Sequence, residues 1–374
     1  MWEPLNCLDS GLQVHGFNGF RRVSTVSGSD VNERLECSDA LIVELGRLLG
    51  LAVDAPWVDV GGSWTTNLRV EDPRHGAVVV RVHRGWMSEQ RLAAEQAARI
   101  ALARVGLPTV PPMTDAAGCS VHTLTSGRLV EIELFVRSTA RMKTPRLLVD
   151  GFALLARVHD ALADASLPLD AHTVPWSNHI DAHEAAAATR GGADRIRQWN
   201  KPDLAYFADQ VVEHVDLVAS LDSSSSAELG SQIVHGDYWD NNVLFDGDRV
   251  AAVLDFGFMA ERPRIDDLAL PIWFYLLEPG HRLPTREDRG LVRRMVDAYD
   301  AASTRPLSEA ERFALPLAIA RQPAWSVGRW IPALDEPAAM EHAQTAAQEL
   351  AVAQAVLKER DGWQQELCGR SGPW

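Results

Sequence analysis

The stretch from Val234 to Leu270, VHGDYWDNNVLFDGDRVAAVLDFGFMAERPRIDDLAL, leaves this chain few local folds. Gln232 to Val234 reads as a short apolar strand entering a polar loop. Val243-Leu244-Phe245 is a second apolar run and Val250 to Leu254 a third. Between the last two, Asp246-Gly247-Asp248 supplies residues that tolerate the positive φ of a tight turn. The pattern predicts a β-hairpin whose open end carries Asn242 on one strand and Asp255 on the other. The turn lies about midway between them, so folding brings an amide oxygen and a carboxylate together. Such oxygen donors suit Mg²⁺, which keeps several waters and takes one or two protein carboxylates. Asp237 comes from the loop just before, within reach of a substrate hydroxyl. A lone three-residue match would be an ordinary surface hairpin with solvated acids. The ordered set of Asp237, Asn242 and Asp255 argues against that.

With 374 residues the chain exceeds one typical domain and fits two lobes around a cleft. Its net charge of -15 disfavours a nucleic-acid partner, which would call for clustered basic residues, and is compatible with a cationic small substrate. No uninterrupted apolar run approaches about 18 residues, so no membrane span is expected. The start, MWEPLNCLDSGLQVHG, lacks a basic region followed by an apolar core, so no signal peptide is expected. Cys7, Cys37, Cys119 and Cys368 are scattered without a C-x-x-C pair, which points away from zinc and disulfides and toward a reducing, cytoplasmic setting. Monomer and homodimer both stay open.

Residues 1–37 lack sustained periodicity and read as an extension. Residues 38–137 read as a strand-rich lobe. Ser38 offers an N-cap to a helix ending at Gly50, Trp57 to Val60, Asn67 to Val70 and Ala77 to Val82 are strands, and Ser88 opens a helix through about Val105. Val121 to Thr125 and Leu129 to Val136 are two more strands. Residues 138–374 are mostly helical, beginning with Pro145 to Leu162, with the hairpin embedded. No internal repeat is found.

Gly61-Gly62-Ser63 and Asn67 lie between two predicted strands, where glycines let backbone N–H groups approach phosphate oxygens. By itself a Gly-Gly is more often a plain turn, and no G-x-x-x-x-G-K-[ST] occurs. Arg81, within the apolar run VVVRVHR, would face the cleft by strand alternation and meet α- and β-phosphates. Glu95 is the expected helix carboxylate holding it, with Glu89 second. The backbone near Glu133 to Phe135 is the expected adenine contact.

With these residues in view, the chain resembles the aminoglycoside phosphotransferase family, which includes antibiotic kinases, homoserine kinases and choline-kinase-like enzymes. The resemblance runs from about Val58 to Leu270. It is carried by HGDYWDNNVLF and VLDFGFMAERPRIDDLA, with support from GGSWTTNLRV, VVVRVHR and LLARVHDAL. Protein kinases share the Asp-to-Asn interval and the D-F-G. The resemblance implies an α+β, bilobal protein-kinase-like fold with a small β-rich N-lobe and a larger helical C-lobe. It implies that Asp237 is the catalytic aspartate, that Asn242 and Asp255 hold Mg²⁺, and that Asp267 braces the catalytic loop. His235 and His159 are then packed, structural histidines. Two departures stand out: Arg81 replaces the lysine of protein kinases, and Tyr238-Trp239-Asp240-Asn241 replaces a Leu-His-Pro-Gly type loop.

The expected chemistry is transfer of the γ-phosphoryl group of ATP or GTP to a hydroxyl of a small, antibiotic-like acceptor, and hence a role in antibiotic resistance. A homoserine or amino-alcohol kinase is the alternative. A nucleotide-binding pseudokinase is disfavoured by the intact Asp237, Asn242 and Asp255. A protein kinase is disfavoured by the absence of A-P-E and the short interval from Gly257 to Asp267. Acceptor contacts are sought at Tyr238, Trp239, Asp181, Glu184, Glu261 and in Gln322 to Trp330, where Trp325 and Trp330 offer flat rings. Most of the 12 tryptophans are expected to be packing residues.

Overall fold

A computed structural model describes residues 34–62, 65–173, 182–222, 229–278 and 282–369. Ser63, Asp181 and all but the end of the expected extension lie outside the described residues. The first helix, α1 (Asp39–Leu49), starts at Ser38, whose hydroxyl accepts the Leu41 N–H. It stops at Gly50 in the left-handed region (φ 67°). Strands β1 (Val58–Asp59), β2 (Thr66–Asp72), β3 (Gly76–Val82), β4 (His122–Thr123) and β5 (Leu129–Leu134) form an antiparallel sheet in the order β1-β2-β3-β5-β4. Helix α2 (Glu89–Arg104) follows β3.

Alternation divides this sheet into two chemistries. Leu68, Val70, Val78, Val80 and Val82 pack with Leu41 and Leu45 of α1 in an apolar layer. Each fully buried Leu or Val contributes about 1.5–3 kcal/mol. The opposite face aligns Asn67, Arg81 and Glu131 across three neighbouring strands. That polar face looks onto the rest of the protein.

The remainder is mostly helical. Strand β6 (Ala140–Arg141) precedes α3 (Pro145–Asp164), a central helix with Phe152, Leu155, Ala156 and Val158 fully buried. Helices α4 (Ala182–Gln198) and α5 (Pro202–Asp222) come next, then β7 (Ser231–Val234), β8 (Val243–Asp246), β9 (Arg249–Val253) and β10 (Ala260–Pro263). The chain continues through α6 (Ile265–Leu277), α7 (Arg286–Ala302), α8 (Glu309–Ala320) and α9 (Gln322–Trp325). A π-turn at Ser326–Trp330 leads into α10 (Ile331–Ala333), α11 (Glu336–Lys358) and α12 (Arg360–Cys368). Thr285 with Asp288, and Ser308 with Glu311, form capping boxes that start α7 and α8. Among the described residues no helix is long and apolar enough to cross a membrane.

Two small sheets hold the hairpin in place. β8 pairs with β9 and, on its other side, with β6; β7 pairs with β10. β6 and β10 were not foreseen. Both are short and polar (AR and AERP), so their strand character comes from partners distant in sequence. β1 is shorter than the expected run from Trp57 to Val60, and β4 shorter than Val121 to Thr125.

Candidate active site

β7 delivers the chain into His235-Gly236-Asp237. Gly236 has φ 81°, and a Cβ there would stand 2.0 Å from the Phe258 carbonyl oxygen, so only glycine passes. Asp267, fully buried on α6, accepts the Gly236 N–H (2.8 Å) and the His235 N–H (2.7 Å). It also lies 3.0 Å from His159 Nε2. The other nitrogen of His159 meets the Tyr299 hydroxyl at 2.8 Å. His235 donates from Nε2 to the Leu254 carbonyl (2.8 Å) and accepts the Asp237 N–H at Nδ1 (3.2 Å). Both ring nitrogens are engaged, and burial lowers its pKa, so the imidazole stays neutral and holds the loop.

The hairpin closes as its spacing predicts. Asn242 O accepts the Leu254 N–H at 2.8 Å, which sets Asn242 beside Asp255. Asn242 Nδ2 donates to Asp237 Oδ2 and to the Asp237 carbonyl, both at 2.8 Å. Asp255 is one of two described non-glycine residues with positive φ, at 60°. Its Oδ1 accepts the Gly257 N–H (3.3 Å) and lies 3.6 Å from Arg81 Nη2. Burial, then the charge of Asp255, pushes the Asp237 carboxyl up to about 8. Asp255 is held below its ordinary value, because Arg81 and Arg84 outweigh its desolvation.

Arg81 faces this pair, as alternation predicts, but its partners differ from those expected. It lies 3.7 Å from Glu133 and 4.0 Å from Glu131, both on β5. Glu95 instead bonds Arg91 at 3.0 Å, one helical turn away, and Glu89 is exposed at the start of α2. The reason is proximity: Glu131 and Glu133 share a sheet face with Arg81, whereas Glu95 finds a guanidinium on its own helix. Arg99 bonds both strand acids, at 3.0 Å to Glu133, and Gln96 bonds Glu131 at 2.9 Å. Two cations thus neutralise two anions in a buried cluster.

The Phe135 N–H donates to Ala77 O (3.0 Å), and its ring lies under the Arg69 guanidinium at 4.5 Å. Neither Glu133, whose side chain joins the ion cluster, nor Phe135 offers the backbone donor expected for adenine. Antiparallel alternation turns the groups of Leu134 away from β3 instead. Asn67 Nδ2 bonds Gly61 O at 2.9 Å and closes the glycine turn, where Gly61 and Gly62 have φ of 93° and 124°.

Among the expected acceptor residues, Tyr238 is fully buried and donates to Gly151 O (2.7 Å), so it is a packing residue. Tyr238→Phe is expected to cost about 1 kcal/mol, one net hydrogen bond. Thermal melts would read that cost, and an altered acceptor KM would contradict the assignment to packing. Trp239 stacks on Phe274, centroids 4.4 Å apart, beside Asp237. Glu261 pairs with His172 (2.7 Å) and Ser231 (3.0 Å) and sits opposite Ile233, on the strand that precedes the Asp237 loop. There it lines a separate open cavity of about 710 Å³. Trp325 and Trp330 stack on each other at 5.4 Å in the π-turn. Glu184 is exposed on α4, and its charge reaches Arg262 and Arg329.

Sequence reasoning missed Arg84, Arg91 and Arg99. Arg84 is buried two residues past the end of β3, its guanidinium 4.4 Å from the Trp86 ring and 5.5 Å from the Phe258 ring. The alternating Glu131 and Glu133 in LVEIELFV signalled a cationic partner on the same sheet face.

A model of the phosphotransferase enzyme family matches residues 57–310, well over half of the chain. The chain belongs to the phosphotransferase enzyme family. Relatives include a homoserine kinase of Methylocella silvestris, 34% identical over 144 residues (36% of this chain, 43% of that protein). A homoserine kinase of Nitrobacter winogradskyi is 31% identical over 165 residues, 44% of each chain. The match thus spans less than half the length of these two relatives. Among solved structures, an amicoumacin kinase in complex with AMP-PNP, Ca²⁺ and its antibiotic superposes with a TM-score of 0.61 at 12% identity, covering 87% of this chain and 94% of that one. A microcompartment-associated aminopropanol kinase gives 0.60 at 15% identity, covering 86% and 98%. These establish the fold of this phosphotransferase-family member as bilobal and kinase-like.

Proposed function

We propose that this phosphotransferase-family chain moves a γ-phosphoryl group from a nucleoside triphosphate to a hydroxyl of a small, amine-bearing metabolite of the homoserine or amino-alcohol type. The observation carrying the reading is the meeting of Asp237, Asn242 and Asp255 around one loop and one hairpin end. Asn242 has its amide nitrogen committed to Asp237, and its oxygen has no partner among the described residues. Asp255 likewise has one oxygen, Oδ2, outside any described bond. One amide oxygen and one carboxylate oxygen, from the two strands at one hairpin end, fit a hard divalent cation that takes its other ligands from water and phosphate. Such an ion, when bound, neutralises charge on the transferring phosphoryl group.

The chain's own residues do the rest. Gly61, Gly62 and Asn67 shape the turn over the phosphates, and Arg81 presents its guanidinium from a cradle of Glu131, Glu133 and Asp255. Asp237 orients the acceptor hydroxyl and, in the ionised form that a bound cation would favour over the proton burial keeps on it, takes the hydroxyl proton late, since the transition state is loose. Asp267 and His235 keep Asp237 in place.

The metabolite acceptor is favoured because both relatives described above are named homoserine kinases. An antibiotic-like acceptor is the second reading, supported by the fold shared with the amicoumacin kinase. A coupled nucleotide-turnover assay across homoserine, amino alcohols and aminoglycosides, with mass spectrometry for one added phosphoryl group, separates them. Homoserine or an amino alcohol is expected to turn over. Turnover confined to antibiotics would replace the acceptor assignment, and nucleotide binding with no phosphorylated product from any acceptor would remove the kinase reading.

A further inference from the structure

Arg91 sits in the first turn of α2, 5% exposed, and its guanidinium makes contacts in three directions. Nη2 donates to the carbonyls of Met259 (2.8 Å), Gly257 (3.2 Å) and Phe256 (3.3 Å). Nη1 donates to the carbonyls of Asp170 (2.8 Å) and Thr173 (3.0 Å). Nε donates to Glu95 (3.0 Å). A guanidinium carries five N–H groups, so all of them are engaged inside the protein and none is left for a ligand.

The three carbonyls on Nη2 belong to the turn that immediately follows Asp255. That turn starts from a strained residue, because Asp255 holds a positive φ that L-residues rarely adopt. Its internal support is slight: the Gly257 N–H reaches Asp255 Oδ1 at 3.3 Å, and the Met259 N–H reaches Phe256 O at 3.0 Å. The carbonyls of Phe256, Gly257 and Met259 converge on one cation. That cation is oriented by Glu95, the helix carboxylate that sequence reasoning assigned to Arg81. Arg81 takes its nearest acids, Glu131 and Glu133, from β5, and the charge of Glu95 reaches it only from farther off.

We propose that Arg91 is the positioning residue for Asp255: it ties α2 to the turn at residues 256–259, with Glu95 fixing its direction, and so sets where the metal-side carboxylate points. This rests on the reading that Asp255 helps hold a divalent cation.

The variants are Arg91→Met, Arg91→Lys and Glu95→Gln, each read in two ways. Hydrogen–deuterium exchange of the peptide spanning residues 254–262, in protein without nucleotide or metal, reports the turn itself. Affinity for ATP with and without Mg²⁺ reports the carboxylate. Arg91→Met is expected to speed exchange in that peptide and weaken Mg²⁺-dependent ATP binding by about 10–100-fold, the usual effect of removing a group that orients a metal ligand. Metal-free ATP affinity should change much less. Arg91→Lys, which keeps the charge but loses the fork, and Glu95→Gln should fall between parent and Arg91→Met. Should Arg91→Met not fold, these two carry the test. Parental exchange and parental Mg²⁺ dependence in the folded variants would overturn the proposal. If the parent shows no Mg²⁺-dependent ATP binding, the metal reading fails separately, and the exchange result alone decides whether Arg91 holds the turn.

Discussion

Asp237→Asn is expected to lower turnover by about 10²–10⁴-fold, the range for loss of a general base, while nucleotide binding persists and the fold gains stability at alkaline pH. The first part follows from position: Asn242 holds the Asp237 carboxylate at the hairpin end that carries Asp255, whereas Asp240, the other carboxylate of the loop, faces Arg141 and Lys143. The stability gain follows from linkage. In the folded protein, burial and the neighbouring Asp255 push the Asp237 carboxyl from its ordinary 3.8 up to about 8. Between those values the folded state keeps a proton that the unfolded chain has released. The unfolded state therefore binds fewer protons, and the contribution of Asp237 to stability falls as pH rises across that window. Asparagine cannot ionise and keeps its shape, so the variant escapes the fall. Thermal melts of parent and variant at pH 5 and pH 8 should diverge, the variant melting increasingly higher at the alkaline end. Parallel pH profiles would mean that Asp237 titrates normally and sits outside a charge-crowded site. Near-parental turnover would remove it from the chemistry.

How far the sequence revealed this site depends on chain distance. Asn242 and Asp255 belong to one hairpin, and the turn signal at Asp246-Gly247-Asp248 fixes their approach. The cleft-facing side of Arg81 follows from strand alternation. Its partners do not, because Glu131 and Glu133 arrive from a strand about 50 residues later, and no spacing rule links a cation to acids on a neighbouring strand. Glu95 differs: its partner Arg91 lies four residues earlier on the same helix, a local pair passed over in assigning Glu95 to Arg81. Tyr238 reads as a pocket residue because it follows Asp237. Its burial depends on the Gly151 carbonyl in α3, 87 residues away. The hairpin and the strand alternation were legible from local pattern, and the contacts between elements distant in the chain were not.

Asp255→Asn is expected to remove the Mg²⁺ dependence of nucleotide binding and to cut turnover by roughly 10²–10³-fold, since charge stabilisation by a bound cation supplies several kcal/mol in such sites. Asparagine is the informative replacement. Position 255 holds φ 60°, which asparagine adopts more readily than alanine, so the turn survives and the charge alone is removed. Arg81 keeps Glu131 and Glu133 as partners, so it does not become an unpaired buried cation. The variant also changes Asp237. With the Asp255 charge gone, the second-largest cause of its raised pKa disappears, so the loss of stability with rising pH should end at a lower pH and be smaller than in the parent. Two measurements on one variant therefore test two roles. ATP titrations with and without Mg²⁺ ask whether Asp255 faces a cation, and melts across pH ask whether its charge reaches Asp237. Unchanged Mg²⁺ dependence with shifted melts would leave the carboxylates neighbours and take the metal away from Asp255. Unchanged behaviour in both would separate the hairpin end from the catalytic loop, and the phosphoryl-transfer reading depends on their meeting.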